Sequence, residues 1–174
     1  MNPRQRPFLL LALASNWLAG CATVAIENPH KVPPSPIWSG RLGLTLATEP
    51  PQAFFATFEL KGNADAGELT LTSPMGSVLA ELHWSPGEAR LRTSQTIQRS
   101  DSVESLSRAA TGAALPIHAL FDWLSGIGTA AGGWQPDLSQ LGRGRLLARR
   151  SDPIPAAELK LILDSSAKTE PPKE

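Results

Sequence analysis

Tyrosine is absent from this 174-residue chain, cysteine occurs once and methionine twice. A single cysteine excludes an internal disulfide and leaves one thiol that needs another account. Neither charge sign is in excess, with sixteen Lys and Arg against sixteen Asp and Glu. Without a basic surplus the chain has no electrostatic footprint for a phosphate backbone, so no nucleic-acid partner is expected. A long apolar run is missing as well: the stretch from Phe8 to Ala14 falls well short of the roughly 20 residues that span a bilayer as a helix. What remains, 41% hydrophobic and 18% charged residues, is the composition of a globular domain with a core. Sixteen prolines, fourteen glycines and five tryptophans imply many turns and a core built on a few large rings, which leans towards β structure.

The N-terminal sequence "MNPRQRPFLLLALASNWLAGC" combines Arg4 and Arg6, the short apolar run and small residues before Cys21. That is the layout of a secretory signal. Leu18, Ala19, Gly20 and Cys21 resemble the lipobox of bacterial lipoprotein precursors. The resemblance implies a signal over residues 1–20, removed before an acylated Cys21. Each buried CH₂ contributes about 0.8 kcal/mol, so several acyl chains make a lasting lipid anchor. Residue 22 is alanine, not the aspartate that retains many lipoproteins in the inner membrane, and by the same resemblance the expected destination is the outer membrane, facing the periplasm.

Residues 21–36 read as acylated cysteine plus tether, since "ATVAIENPHKVPPSP" lacks periodicity and holds four prolines. Residues 165–174, "SSAKTEPPKE", read as a disordered tail. Between them residues 37–164 form one domain without detectable repeats, expected to be monomeric. Alternation of period two places Trp38, Leu42, Leu44 and Leu46 on one strand face, then Phe54, Ala56, Phe58 and Leu60, then Leu69 and Leu71, then Val78, Ala80, Leu82 and Trp84, and finally Leu159, Leu161 and Leu163. Two stretches change period. In "DSVESLSRAATG", Asp101 is placed to cap a helix that Gly112 stops; in "LPIHALFDWLSG", Pro116 opens a helix with Ile117, Leu120, Phe121 and Leu124 in its apolar stripe, and Gly126 ends it. The expected class is therefore mainly β with helices (α+β), the amphipathic helices covering the oily face of an antiparallel sheet.

Catalytic constellations are not legible. His30, His83 and His118 lack partners at metal-ligand spacing, so no metal site or cofactor is expected. "GIGTAAG" has the wrong spacing for a dinucleotide loop and follows a helix, and it reads as a flexible loop. No serine lies in a G-x-S-x-G elbow. An enzyme is not expected. "GRGRLLARR" supplies the one basic cluster, Arg143, Arg145, Arg149 and Arg150. It is either a solvated outer face or a docking patch for an acidic partner or anionic lipid.

The fragments "IWSGRLGL", "FFATFELKG", "GELTLTSPMGS", "LAELHWSPGEARL", "ATGAALPIHALFDWLSG", "GWQPDLSQLGRGRLLARR" and "PAAELKLIL" stand in an order that closely resembles the LolB family of Gram-negative outer-membrane lipoprotein receptors. The resemblance implies a curved, incomplete antiparallel β-barrel covered by helices around a hydrophobic cavity. It implies a receptor that accepts acylated lipoproteins from the soluble periplasmic carrier LolA and releases them into outer-membrane lipid. Candidates for the acyl-chain lining are Leu42, Leu44, Phe54, Phe58, Leu71, Leu82 and Trp84 from strands and Leu120, Phe121 and Leu124 from a helix; simple core packing is the alternative for each. In "SPMGS", Pro74 fits the second position of a type I turn, Met75 the third and Gly76 the left-handed position after it, which carries Met75 outward. LolB-like proteins usually place a leucine there, associated with delivery into the membrane, and this chain has methionine. An anchored binding module for another lipid or envelope component is the alternative function.

Overall fold

The computed structural model describes residues 36–164 and the backbone of residues 168–169. Cys21, the signal and nearly all of the tether lie outside the described residues. One antiparallel sheet dominates. Its strands are β1 (Pro36–Leu46), β2 (Gln52–Gly62), β3 (Gly67–Thr72), β4 (Val78–Ser85), β5 (Glu88–Arg92), β6 (Ile97–Ser100), β7 (Trp134–Asp137), β8 (Arg145–Arg150) and β9 (Ala157–Leu163). Spatial order is β6-β5-β4-β3-β2-β1-β9-β8-β7, so β1, paired along its length with β2 and over Gly40 to Leu46 with β9, holds the middle. The path does not close on itself, and β6 and β7 are its edges.

Alternation sorts the side chains as the period-two pattern requires. Leu42, Leu44 and Leu46 of β1, Ala56, Phe58 and Leu60 of β2, Leu69 and Leu71 of β3, and Leu159 and Leu161 of β9 are buried. Between β6 and β7 the chain forms α1 (Val103–Thr111) and α2 (Ile117–Leu124), which cover the apolar face. α1 packs over β4, β5 and β6. From α2, Phe121 sets its ring edge-on to Trp38 of β1 at 5.6 Å and to Trp84 of β4 at 6.0 Å. Ile117, Leu120, Trp123 and Leu124 join the same core.

Several local expectations are corrected. Ser102, not Asp101, caps α1: its Oγ accepts from the Ser105 amide at 3.2 Å. Asp101 instead accepts from Ser100 Oγ at 3.3 Å, one residue too early to reach the first turn. Gly112 does close α1, its amide donating to the Arg108 carbonyl at 2.8 Å. The glycine-rich segment after α2 is pinned where a flexible loop was expected, because Trp123 Nε1 donates to the Thr129 carbonyl at 2.6 Å and Thr129 Oγ1 to Asp122 at 2.7 Å. Pro36, assigned to the tether, already belongs to β1, and two residues of the expected tail form a short strand, β10 (Lys168–Thr169), against Pro36 and Ile37. β9 reaches only to Gly40 along that edge, which leaves the start of β1 for β10 to pair.

The link between the helices rests on a buried hydroxyl. Ser107, fully buried, donates from Oγ to the Glu104 carbonyl and accepts from the Leu115 amide, both at 2.8 Å. Thr111 Oγ1 donates to the Ser107 carbonyl at 2.9 Å. These bonds fix how the chain leaves α1 and enters α2, and thereby where Phe121 meets the sheet.

Candidate functional site

Met75 stands at the tip of the β3–β4 hairpin and is 94% exposed. The turn is ordered from within. The Gly76 amide donates to the Ser73 carbonyl at 2.9 Å, the Ser73 amide to the Ser77 carbonyl at 2.8 Å, and the Ser77 amide also to Ser73 Oγ at 3.1 Å. Gly76 has φ +87°, a conformation that a side-chain-bearing residue adopts only with strain. Proline ahead and glycine behind leave Met75 no inward path.

Two further residues extend this apolar tip. Val78, placed by alternation on the inner face, is exposed, and so is its neighbour Leu79. The ladder shifts register between Leu71 and Thr72, so Val78 pairs with outward Thr72 while Ala80 pairs with buried Leu71, and Leu79 is the residue of the bulge between them. Strict period two does not foresee a bulge, so neither residue was legible as part of the tip. Two exposed apolar residues beside a protruding methionine gather apolar surface at this end of the hairpin.

Of the ten lining candidates, Leu42, Leu44, Phe58, Leu71, Leu82, Trp84, Leu120, Phe121 and Leu124 are buried members of one cluster, and Phe54 packs on its margin. The structure thus brings them together, between sheet and α2, packed against one another. The Trp84 indole has its own partner, donating to the Asn63 carbonyl at 3.1 Å.

The arginine cluster is divided. Arg145 and Arg149 point outward from β8, and Arg143 lies in the turn before it, donating to Gln140 at 3.1 Å. Arg149 donates to Glu158 across the ladder at 2.9 Å, and Lys160 reaches the same carboxylate at 2.7 Å. Those bonds hold the Glu158 carboxyl below its usual pKa, the Lys160 bond first and then that of Arg149. Arg150 leaves the group: the strand pleat turns it to the inner face, where it is 5% exposed. There its guanidinium lies 5.2 Å from the ring centre of Trp134, its cross-strand neighbour.

Glu68 and His83 stand 3.6 Å apart on neighbouring strands, and Glu104 and His118 3.4 Å apart between the helices. No group of three metal-ligating side chains occurs among the described residues. No helix among them is long and apolar enough to cross a membrane.

Comparison with known proteins decides the family. The family model described as outer membrane lipoprotein LolB matches residues 38–154. The chain belongs to the LolB family. Among its relatives, the outer-membrane lipoprotein LolB of Bordetella petrii is 27% identical over 175 residues, covering 86% of this chain and 87% of that protein. Outer-membrane lipoprotein LolB of Chromobacterium violaceum is 32% identical over 127 residues, covering 70% and 68%. That of Klebsiella pneumoniae is 28% identical over 137 residues, covering 70% and 67%. The LolB match contains the Met75 hairpin, both helices and the whole arginine cluster.

Proposed function

We propose that this protein is a lipid-anchored receptor on the periplasmic side of the outer membrane. It accepts acylated lipoproteins from a LolA-like carrier and inserts them into the inner leaflet. The observation that carries this reading is Met75, held outward on an ordered turn within a chain of the LolB family. Burying one such side chain among acyl chains contributes roughly 1.5–3 kcal/mol, enough to bias contact with a bilayer without fixing the domain to it. Val78 and Leu79 add to that contact.

The core between sheet and α2 is the acyl-chain site. Its side chains are aliphatic and aromatic, and it carries no charged group in the stripe formed by Leu120, Phe121 and Leu124. In the closed arrangement these residues fill the space themselves. Entry of an acyl chain displaces α2, whose apolar contacts with the sheet are exchanged for contacts with methylenes of similar hydrophobicity. Transfer then needs no bond cleavage and runs down a gradient of affinity from carrier to receptor to membrane. Acylated Cys21 places the receptor at the membrane and takes no part in the pocket.

The test uses purified carrier–lipoprotein complex, this protein and liposomes. Met75→Glu accepts cargo from the carrier at the unaltered rate and delivers it to liposomes severalfold more slowly, whereas Met75→Leu delivers normally. Normal delivery by Met75→Glu removes the role assigned to the tip. Failure of the unaltered protein to take cargo removes the receptor reading itself.

A further inference from the structure

A pocket of about 420 Å³ opens beside the end of β8 and is lined by none of the ten acyl-chain candidates. Its lining combines apolar residues, Pro116, Ala119 and Trp134, with two cations, Arg108 of α1 and Arg150 of β8. Arg150 is buried, one of its terminal nitrogens donates to the Pro155 carbonyl at 3.1 Å, and its Nε is fully buried without any hydrogen-bond partner. A buried guanidinium donor left unpaired is unfavourable by an amount that native structures rarely leave unanswered. Burial pushes the Arg150 pKa down, and the charge of Arg108 pushes it further the same way; arginine remains protonated at any physiological pH even so.

Neither Arg108 nor Arg150 forms a salt bridge among the described residues. The acidic side chain that lines the pocket, Glu104, is occupied by Ser102 Oγ at 3.3 Å and by His118 at 3.4 Å. The N-terminus of α2 opens into the same space through Pro116, His118 and Ala119. Pro116 is its N-cap and offers no side-chain acceptor, so the positive end of the helix is left uncapped. Chain geometry keeps the site in place: at Gly133, with φ +79°, a Cβ would lie 1.7 Å from the Asp152 carbonyl oxygen, so only glycine lets the β7 entrance and the loop after β8 approach this closely.

We propose that this pocket is an oxyanion site, holding the phosphate or carboxylate head of a small amphiphile between Arg108 and Arg150 with its apolar body along Pro116, Ala119 and Trp134. Two guanidiniums without acidic partners supply charged N–H donors for such a group, and the uncapped helix end adds positive potential. The site shares no residue with the tip or with the acyl-chain candidates, and its test is read on the protein without cargo, so the outcome does not depend on the receptor reading.

The test is calorimetric titration of the full chain, in a nonionic detergent, with hexyl phosphate, inorganic phosphate and hexanol. Hexyl phosphate binds, hexanol does not, and binding weakens about tenfold in Arg108→Gln, an exposed position where the fold is not at stake. Arg150→Lys, which keeps the charge and loses the fork, weakens it as well. Inorganic phosphate binding as tightly as hexyl phosphate identifies a free ion as the ligand, whereas a preference for hexyl phosphate identifies a headgroup on an apolar body. Equal binding by hexanol, or hexyl phosphate binding unchanged in both arginine variants, overturns the proposal.

Discussion

Met75 and Ser107 mark two extremes of how single residues act here. Met75 is almost wholly exposed, and in the receptor reading its apolar surface acts towards a membrane. Ser107 is a small polar group whose two hydrogen bonds tie α1 to the entrance of α2. Replacing it with alanine leaves the buried Leu115 amide without its acceptor, a loss expected to be about 1–3 kcal/mol. Urea denaturation of Ser107→Ala measures this as a lower midpoint with an unchanged slope. Met75→Glu leaves the same midpoint unaltered and shows its effect only in delivery. A residue important to stability and one important to function are thus separable by one pair of measurements.

Elements combine such residues into faces, and the outer face of β8 and β9 illustrates why charge clusters need a structure to be read. In sequence the four arginines of "GRGRLLARR" form one basic group. In the sheet, the pleat sends Arg149 out to Glu158 and Arg150 in to Trp134. Glu158 has a folded-state pKa below its usual 4.5, so its bonds to Lys160 and Arg149 add stability above that value and lose it as pH falls through the lowered one. Thermal unfolding measured from pH 6 down to about pH 3 is expected to show a shallower acid decline in Glu158→Gln than in the unaltered protein. The effect is small and diminishes in high salt, since both cations are largely exposed. At the hairpin, the bulge turns Val78 to the outer face where strand alternation alone assigns it to the core.

At the scale of the domain, α2 links strands that stand apart in the open sheet. Phe121 alone contacts Trp38 at the centre and Trp84 on the β4 side, and the β8 and β9 side chains Leu146, Leu159 and Leu161 belong to the same buried cluster. Phe121→Ala removes a large ring from that junction and is expected to cost about 3–5 kcal/mol. Because one cluster spans sheet and helices, near-ultraviolet and far-ultraviolet circular dichroism of this variant are expected to shift together to a lower midpoint. Two separated transitions indicate that the helices open independently of the sheet. The same junction is where an acyl chain enters in the receptor reading, so the element that stabilises the closed protein is also the one that cargo displaces.

Sequence by itself determined the local terms. Period-two alternation assigned Leu42, Leu44, Phe58, Leu71 and Leu82 to one face, the proline and glycine of "SPMGS" drove Met75 outward, and the changed period after Ser100 announced two helices. Those features depend on neighbours within a few residues, and their physics is complete at that range. Tertiary structure decided what depends on distant partners: that the sheet stays open with β1 at its centre, that Val78 and Leu79 escape cover, and that Arg150 is buried against Trp134 with an unpaired donor. It also brought Arg108, Arg150 and the start of α2 around one pocket. These residues lie far apart along the chain, and their charges act on one another only after burial has removed the water between them.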